Sequence, residues 1–204
     1  MYYLDILKKY EEDGLKDDIK FNNLLDYKTS ARRQLYLGDI EEGTGEAIEL
    51  LIRFFNLEDE ENNIPVEERI PIKLYINSCG GLISETFIMI DAIKMSKTPV
   101  WTICTGTAYS GGFFTFIAGH RRIAYEHSSF LYHEGSTQVG GTANQFANYA
   151  AFYKKELGKL KSLVLEKTNI DEEKYTEIQK DDFWMDATEA IEFGVADEIA
   201  EEFV

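Results

Sequence analysis

Twice in succession the chain passes from a short β-prone run through a glycine-bearing turn into a helical pattern, and this alternation limits the fold more than any other feature. Ile72-Lys-Leu-Tyr-Ile-Asn77 stops at Ser78-Cys79-Gly80-Gly81 and is followed by a helical pattern from Ser84 to Met95. Pro99 then opens Val100-Trp-Thr-Ile-Cys-Thr-Gly106, after which Ala108-Tyr-Ser-Gly-Gly leads into the short apolar helix Phe113-Phe-Thr-Phe-Ile-Ala. Strand and helix at this interval predict parallel pairing with right-handed crossovers, hence an α/β domain. Upstream, Ala47, Ile48, Leu50, Leu51, Phe54 and Phe55 have the spacing of an amphipathic helix that packs on the sheet. The stretch from Glu58 to Pro71 combines a charge run with two prolines and reads as a solvated surface loop. Two shorter strands, Arg122 to Tyr125 and Ser129 to Tyr132, precede a Gly-rich stretch and a long helical pattern from Thr142 to Lys167. Two further helices end the chain, the second opened by the capping-box pattern Asp186-Ala-Thr-Glu189. Residues 1–33 keep no steady apolar period, so this arm stays structurally open.

Composition narrows the function. A formal charge of −16 over 204 residues argues against a nucleic-acid partner or an anionic membrane, since both are held by Lys and Arg. The longest apolar stretch, Gly111 to Gly119, is far short of the roughly 20 residues that cross a bilayer. The N-terminal run lacks the basic start, apolar core and cleavage site of a secretory signal, which predicts a cytoplasmic protein. Cys79 and Cys104 are the only cysteines, too few for a disulfide framework or a closed zinc site, and are expected to be reduced thiols. Gly80-Gly81 fits neither a P-loop nor a dinucleotide fingerprint, so neither cofactor nor metal is expected.

Ser110 is the most telling residue. It follows a strand and a turn at the entrance to a helix, where unpaired N–H groups and a positive dipole end favour a developing negative charge. Gly111 and Gly112 allow close substrate approach, and the Gly111 amide can point at a reacting carbonyl oxygen. Taken alone, the position reads first as a serine that merely caps the helix. Gly81 ends the neighbouring strand, and ligands bind at the carboxyl ends of strands in open α/β sheets. Its amide is a candidate second oxyanion donor, each such donor contributing on the order of 3 kcal/mol to the transition state. A serine hydroxyl needs a base, and the three histidines are His120, His127 and His133. His120, beside Arg121 and Arg122, reads as a solvated loop residue whose ionised form the arginines disfavour, and His127 reads as a turn residue. His133 ends a strand on the Leu131 side, which suits a general base as well as a packed histidine. The next residue, Glu134, is expected on the opposite face. The acid that would orient the imidazole cannot be chosen by pattern from 37 carboxylates.

Five blocks in order resemble the proteolytic subunit of the Clp protease, a ring-forming serine peptidase. They are Tyr36-Leu-Gly-Asp, Leu74-Tyr-Ile-Asn-Ser-Cys-Gly-Gly, Ile103-Cys-Thr-Gly-Thr-Ala-Tyr-Ser-Gly-Gly, Leu131-Tyr-His-Glu, and Asp182-Phe-Trp-Met-Asp-Ala-Thr-Glu-Ala-Ile-Glu-Phe-Gly. The resemblance covers roughly residues 34–200, and it implies a divergent arm over 1–33 followed by one peptidase domain over 34–204. It implies a crotonase-like α/β subunit of repeated β-β-α units with a protruding handle helix from Thr142 onward. It also implies a catalytic set of Ser110, His133 and Asp182, with Asp181 as the neighbouring alternative, oxyanion amides on Gly81 and Gly111, and substrate pairing beside Leu82 and Ile83. Polypeptide substrates, two stacked heptameric rings and an AAA+ unfoldase partner follow from the same resemblance. The chain departs from the family at Cys79, commonly Pro, at Gly111, commonly Met, and at Glu134-Gly135, commonly Gln-Pro. Alternatives are a silent ring subunit, a crotonase-type acyl-CoA enzyme, and, within the peptidase class, a capsid-maturation peptidase.

Overall fold

The computed structural model describes residues 29 and 32–204. Apart from residues 29, 32 and 33, the arm read as structurally open lies outside the described residues.

In chain order the elements are β1 (Gln34–Leu37), α1 (Thr44–Glu61), β2 (Ile72–Ser78), α2 (Ile83–Met95), β3 (Val100–Tyr109) and α3 (Gly111–Ala118). They continue as β4 (Arg121–Ala124), β5 (Ser129–Tyr132), α4 (Ala143–Lys167), α5 (Glu172–Ile178), β6 (Phe183–Asp186), α6 (Ala187–Glu192) and β7 (Glu198–Ile199). The sheet runs β1-β2-β3-β4-β7, with β5 on β3 and β6 on β5. Every pairing is parallel except β5 with β6, so the expectation of an α/β domain with parallel pairing holds.

β3 extends to Tyr109, past the Gly106 end expected from sequence, and the extra length splits the sheet. Trp101 to Cys104 pair with β4, while Thr107 to Tyr109 pair with β5. The carboxyl end of β5 therefore arrives beside the carboxyl ends of β2 and β3. Alternation sends Ile72, Leu74 and Ile76 of β2 into the main core with Met89, Ile93, Phe113, Phe116 and Ile117. Tyr75 faces the other side with Ile103 and Ile123, under Ala200 and Val204. Every residue of α3 is buried, as suits a helix that is apolar all round.

One expectation is overturned upstream. Glu58 to Glu61 belong to α1 rather than to a solvated loop, and Asp59 is completely buried. The reason is helical phase, for Asp59 continues the buried stripe of Ile48, Ile52 and Phe55. Its carboxylate accepts from the Arg33 guanidinium at 2.6 and 2.8 Å and from the Thr98 hydroxyl at 2.7 Å. These hydrogen bonds, chiefly that from Arg33, hold Asp59 below the usual carboxylate range. Arg33 is thereby fixed at the start of β1, where its carbonyl also accepts from the Lys73 amide.

At the other end of the chain, α4 begins as expected, with Thr142 and Gln145 forming a capping box, and Asp186 caps α6 with Glu189. The strands β6 and β7 were not anticipated. Each is too short, at four and two residues, to carry a readable period.

Candidate active site

Ser110 occupies the turn between β3 and α3 with φ 52° and ψ −118°, a conformation that few non-glycine residues adopt. Two hydrogen bonds hold it there. Its N–H donates to the Leu131 carbonyl at 3.0 Å, and its carbonyl accepts from the Phe114 N–H at 3.2 Å. The side chain makes no cap, which sets aside the reading of Ser110 as an ordinary N-cap. A strained serine on a strand-to-helix turn presents its hydroxyl outward, the geometry that nucleophile turns share.

The Gly80-Gly81 segment is wedged beside it. A Cβ on Gly80 would lie 2.7 Å from the Ser110 Cβ, and one on Gly81 would lie 2.0 Å from the Ile40 carbonyl oxygen. Gly81 forms a parallel bridge with Ile40, whose N–H donates to Gly80 and whose carbonyl accepts from Leu82. In such a bridge the Gly81 N–H faces away from Ile40. Gly111 heads α3, so its N–H is one of the orphan donors of a helix start. A Cβ on Gly111 would meet the Gly81 nitrogen at 3.5 Å, which makes the two amides neighbours. Thr86 Oγ1 and Ile40 Cδ1, at 2.5 and 2.9 Å from that Cβ position, wall Gly111 in and restrain its backbone.

These parts border one cleft of about 450 Å³. Its floor is made by Cys79, Gly81, Leu82, Ser110 and Gly111, and Ile83, Thr86 and Phe114 line it further in. The facing wall is His133 with Glu134 to Thr137, closed by Tyr149, Tyr153 and Leu160 of α4. Sequence reasoning missed Thr86, Phe114, Tyr149 and Tyr153, whose helical spacing looks like ordinary packing. Glu134 borders the same cleft as His133.

Asp182 is not part of the cleft wall, and it is exposed. The antiparallel ladder of β5 and β6 ends at Tyr132 opposite Phe183. Positions 133 and 182 are thus the next residues beyond the ladder on the two strands. The Asp181 carboxylate instead accepts from the Asp182 N–H at 2.9 Å. Among the described residues no hydrogen bond joins the Ser110 hydroxyl, the His133 ring and the Asp182 carboxylate.

The other candidates fall away from the cleft. His120 uses Nδ1 to accept from the Val100 N–H at 2.9 Å. Partial burial and the charge of Lys167, rather than the adjacent arginines, lower its pKa. His127 lies in a turn, as expected. Both cysteines are free, and burial pushes the Cys104 thiol up to about 12, leaving it unreactive at neutral pH. Among the described residues no cluster of metal-ligating side chains occurs, and no helix is long and apolar enough to cross a membrane.

A family model described as Clp protease matches residues 43–203. The chain belongs to the Clp protease family. Its α/β architecture is accordingly the Clp-protease fold, and membership supports a peptidase role. Among curated relatives, ATP-dependent Clp protease proteolytic subunit 2 of Prochlorococcus marinus (strain MIT 9312) is 31% identical over 178 residues, 84% of this chain and 83% of that protein. Proteolytic subunit 3 of Synechococcus sp. (strain CC9605) is 30% identical over 178 residues, covering 84% of each. Proteolytic subunit 2 of Treponema pallidum (strain Nichols) is 29% identical over 133 residues, 64% of this chain and 67% of that protein.

Proposed function

We propose that this Clp protease family member is a serine endopeptidase in which Ser110 attacks the peptide carbonyl. His133 takes the serine proton and returns it to the leaving amine, while Asp182 holds the imidazole tautomer. Gly81 and Gly111 donate to the oxyanion, and water then hydrolyses the acyl-enzyme. One observation carries the reading: a strained serine at the head of a buried helix opens on a cleft shared with a histidine and with two adjacent backbone donors. The catalytic hydrogen bonds close on substrate binding, since such bonds tighten in the Michaelis complex.

An extended substrate adds to the free edge of Gly81 beside Leu82 and Ile83, as a strand adds to a sheet. The relatives' names describe ATP-dependent proteolytic subunits. The family resemblance supports the further proposal that the chain assembles in the cytoplasm as two stacked heptameric rings and receives unfolded polypeptides from an AAA+ unfoldase of the Clp type. Neither cofactor nor metal takes part in the proposed steps.

A fluorophosphonate probe tests the chemistry. The purified protein is expected to label, and Ser110→Ala to lose the label. An assembled ring of native mass that does not label would instead be a silent subunit, and acyl-CoA binding without peptide cleavage would favour the acyl-CoA reading.

A further inference from the structure

The cleft carries a charge that the proposed mechanism does not use. Glu134 is the only Asp, Glu, Lys or Arg among the residues that line it. Among the described residues no ion pair engages this carboxylate. Glu134 is exposed at this cleft, whose other lining residues are apolar, aromatic or polar without formal charge apart from His133. Leu82, Ile83 and Phe114 line the cleft, as do Tyr149 and Tyr153, whose rings stack at 6.1 Å with an interplanar angle of 10°. Thr137 ties to the Tyr149 hydroxyl at 2.7 Å, which keeps that ring in place. The carboxylate acts on this wall: burial, the Tyr149 charge and the Glu134 charge together raise the Tyr153 pKa.

A neutral side chain fits the apolar side of such a cleft and gains nothing from Glu134. An acidic one meets an uncompensated like charge. A lysine or arginine lays its methylene stem along the apolar wall and brings its head to the carboxylate and the tyrosine faces. We infer that Glu134 is a specificity-determining residue, making the cleft select substrates with a basic side chain next to the cleaved bond over acidic ones. This rests on the serine-peptidase reading above and deepens it.

The test uses three fluorogenic peptides identical except for Lys, Leu or Glu before the reporter, with kcat/KM measured at low and high salt. A partly exposed pair is worth a modest factor, so kcat/KM for Lys should exceed that for Glu roughly tenfold at low salt and fall towards parity as salt screens the charge. Glu134→Gln should collapse the ratio and Glu134→Lys should reverse it. Equal kcat/KM for the three peptides in a protein that labels at Ser110 overturns the inference and leaves the peptidase reading standing. A ratio that survives Glu134→Gln also overturns it. A protein that neither labels nor cleaves any of the three overturns the peptidase reading, and the inference with it.

Discussion

On the floor of the cleft, backbone from three segments is wedged together, Ile40 against Gly81 and Gly80 against Tyr109 and Gly111, with the Thr86 hydroxyl packed on Gly111. On the facing wall, residues 133–140 run without regular structure, Glu134 to Gln138 are all exposed, and a Cβ on Gly140 would meet nothing within 4 Å. The floor holds the groups that must not move during a reaction, since donors aimed at a developing oxyanion act only if preorganised. The wall holds the groups that meet different substrates, and it can adjust because little is packed behind it. The serine and both oxyanion donors thus belong to the tightly built side, while the base His133 and the charge of Glu134 belong to the open one.

The largest expected effect crosses between the two sides. If Asp182 orients His133, Asp182→Asn should lower kcat by about 10⁴-fold with the fold intact, while Asp181→Asn stays close to wild type. Equal losses in the two variants would remove the register argument for position 182.

The next test loosens the floor from behind. Asp59→Ala removes the buried partner of Arg33, leaving it Glu58 and the Ile70 carbonyl, and should cost about 3 kcal/mol in denaturant unfolding. The Asp59 carboxylate has a lowered pKa when folded, so its contribution is full above the ordinary value near 3.8 and is lost as pH falls through the lowered one. Acid titration of stability should therefore be steeper below about pH 4 in the wild type than in Asp59→Asn, and identical slopes would show that the pair is not what acid breaks.

Glycine substitutions compare the sides directly. Gly81→Ala puts a Cβ at 2.0 Å from backbone at φ 150° and should cost about 3 kcal/mol or more. Gly135→Ala, at φ 77° with only the Tyr153 hydroxyl at 3.5 Å, should cost about 1 kcal/mol. Similar costs would erase the contrast between floor and wall. The smallest effect belongs to the wall alone. Tyr149→Phe deletes the bond with Thr137 and should change stability by about 1 kcal/mol or less, with any kinetic change in KM rather than kcat.

Most of the floor was legible in the sequence because its parts are local. A β-prone run, a glycine pair and a helical period occupy consecutive residues, so Ser110, Gly81 and Gly111 could be singled out before any contact was known. The wall was not legible. Tyr149 and Tyr153 look like ordinary helix residues, and Glu134 lies two residues past the last strand pair, where no local pattern says what it borders. Asp59 was hidden in a charge run whose composition suggests solvent, although its helical phase places it in the core.

By itself the sequence determined the strand-turn-helix units, the parallel α/β class and the place of the glycine-flanked serine turn, since periodicity and glycine placement act within a few residues. Only the tertiary structure decided which carboxylates are buried, which border the cleft, and which residues of β6 pair with β5. Those outcomes depend on the register of β6 against β5 and on the phase of α1 against the sheet. Both are set by packing between segments far apart in the chain, which no local pattern records.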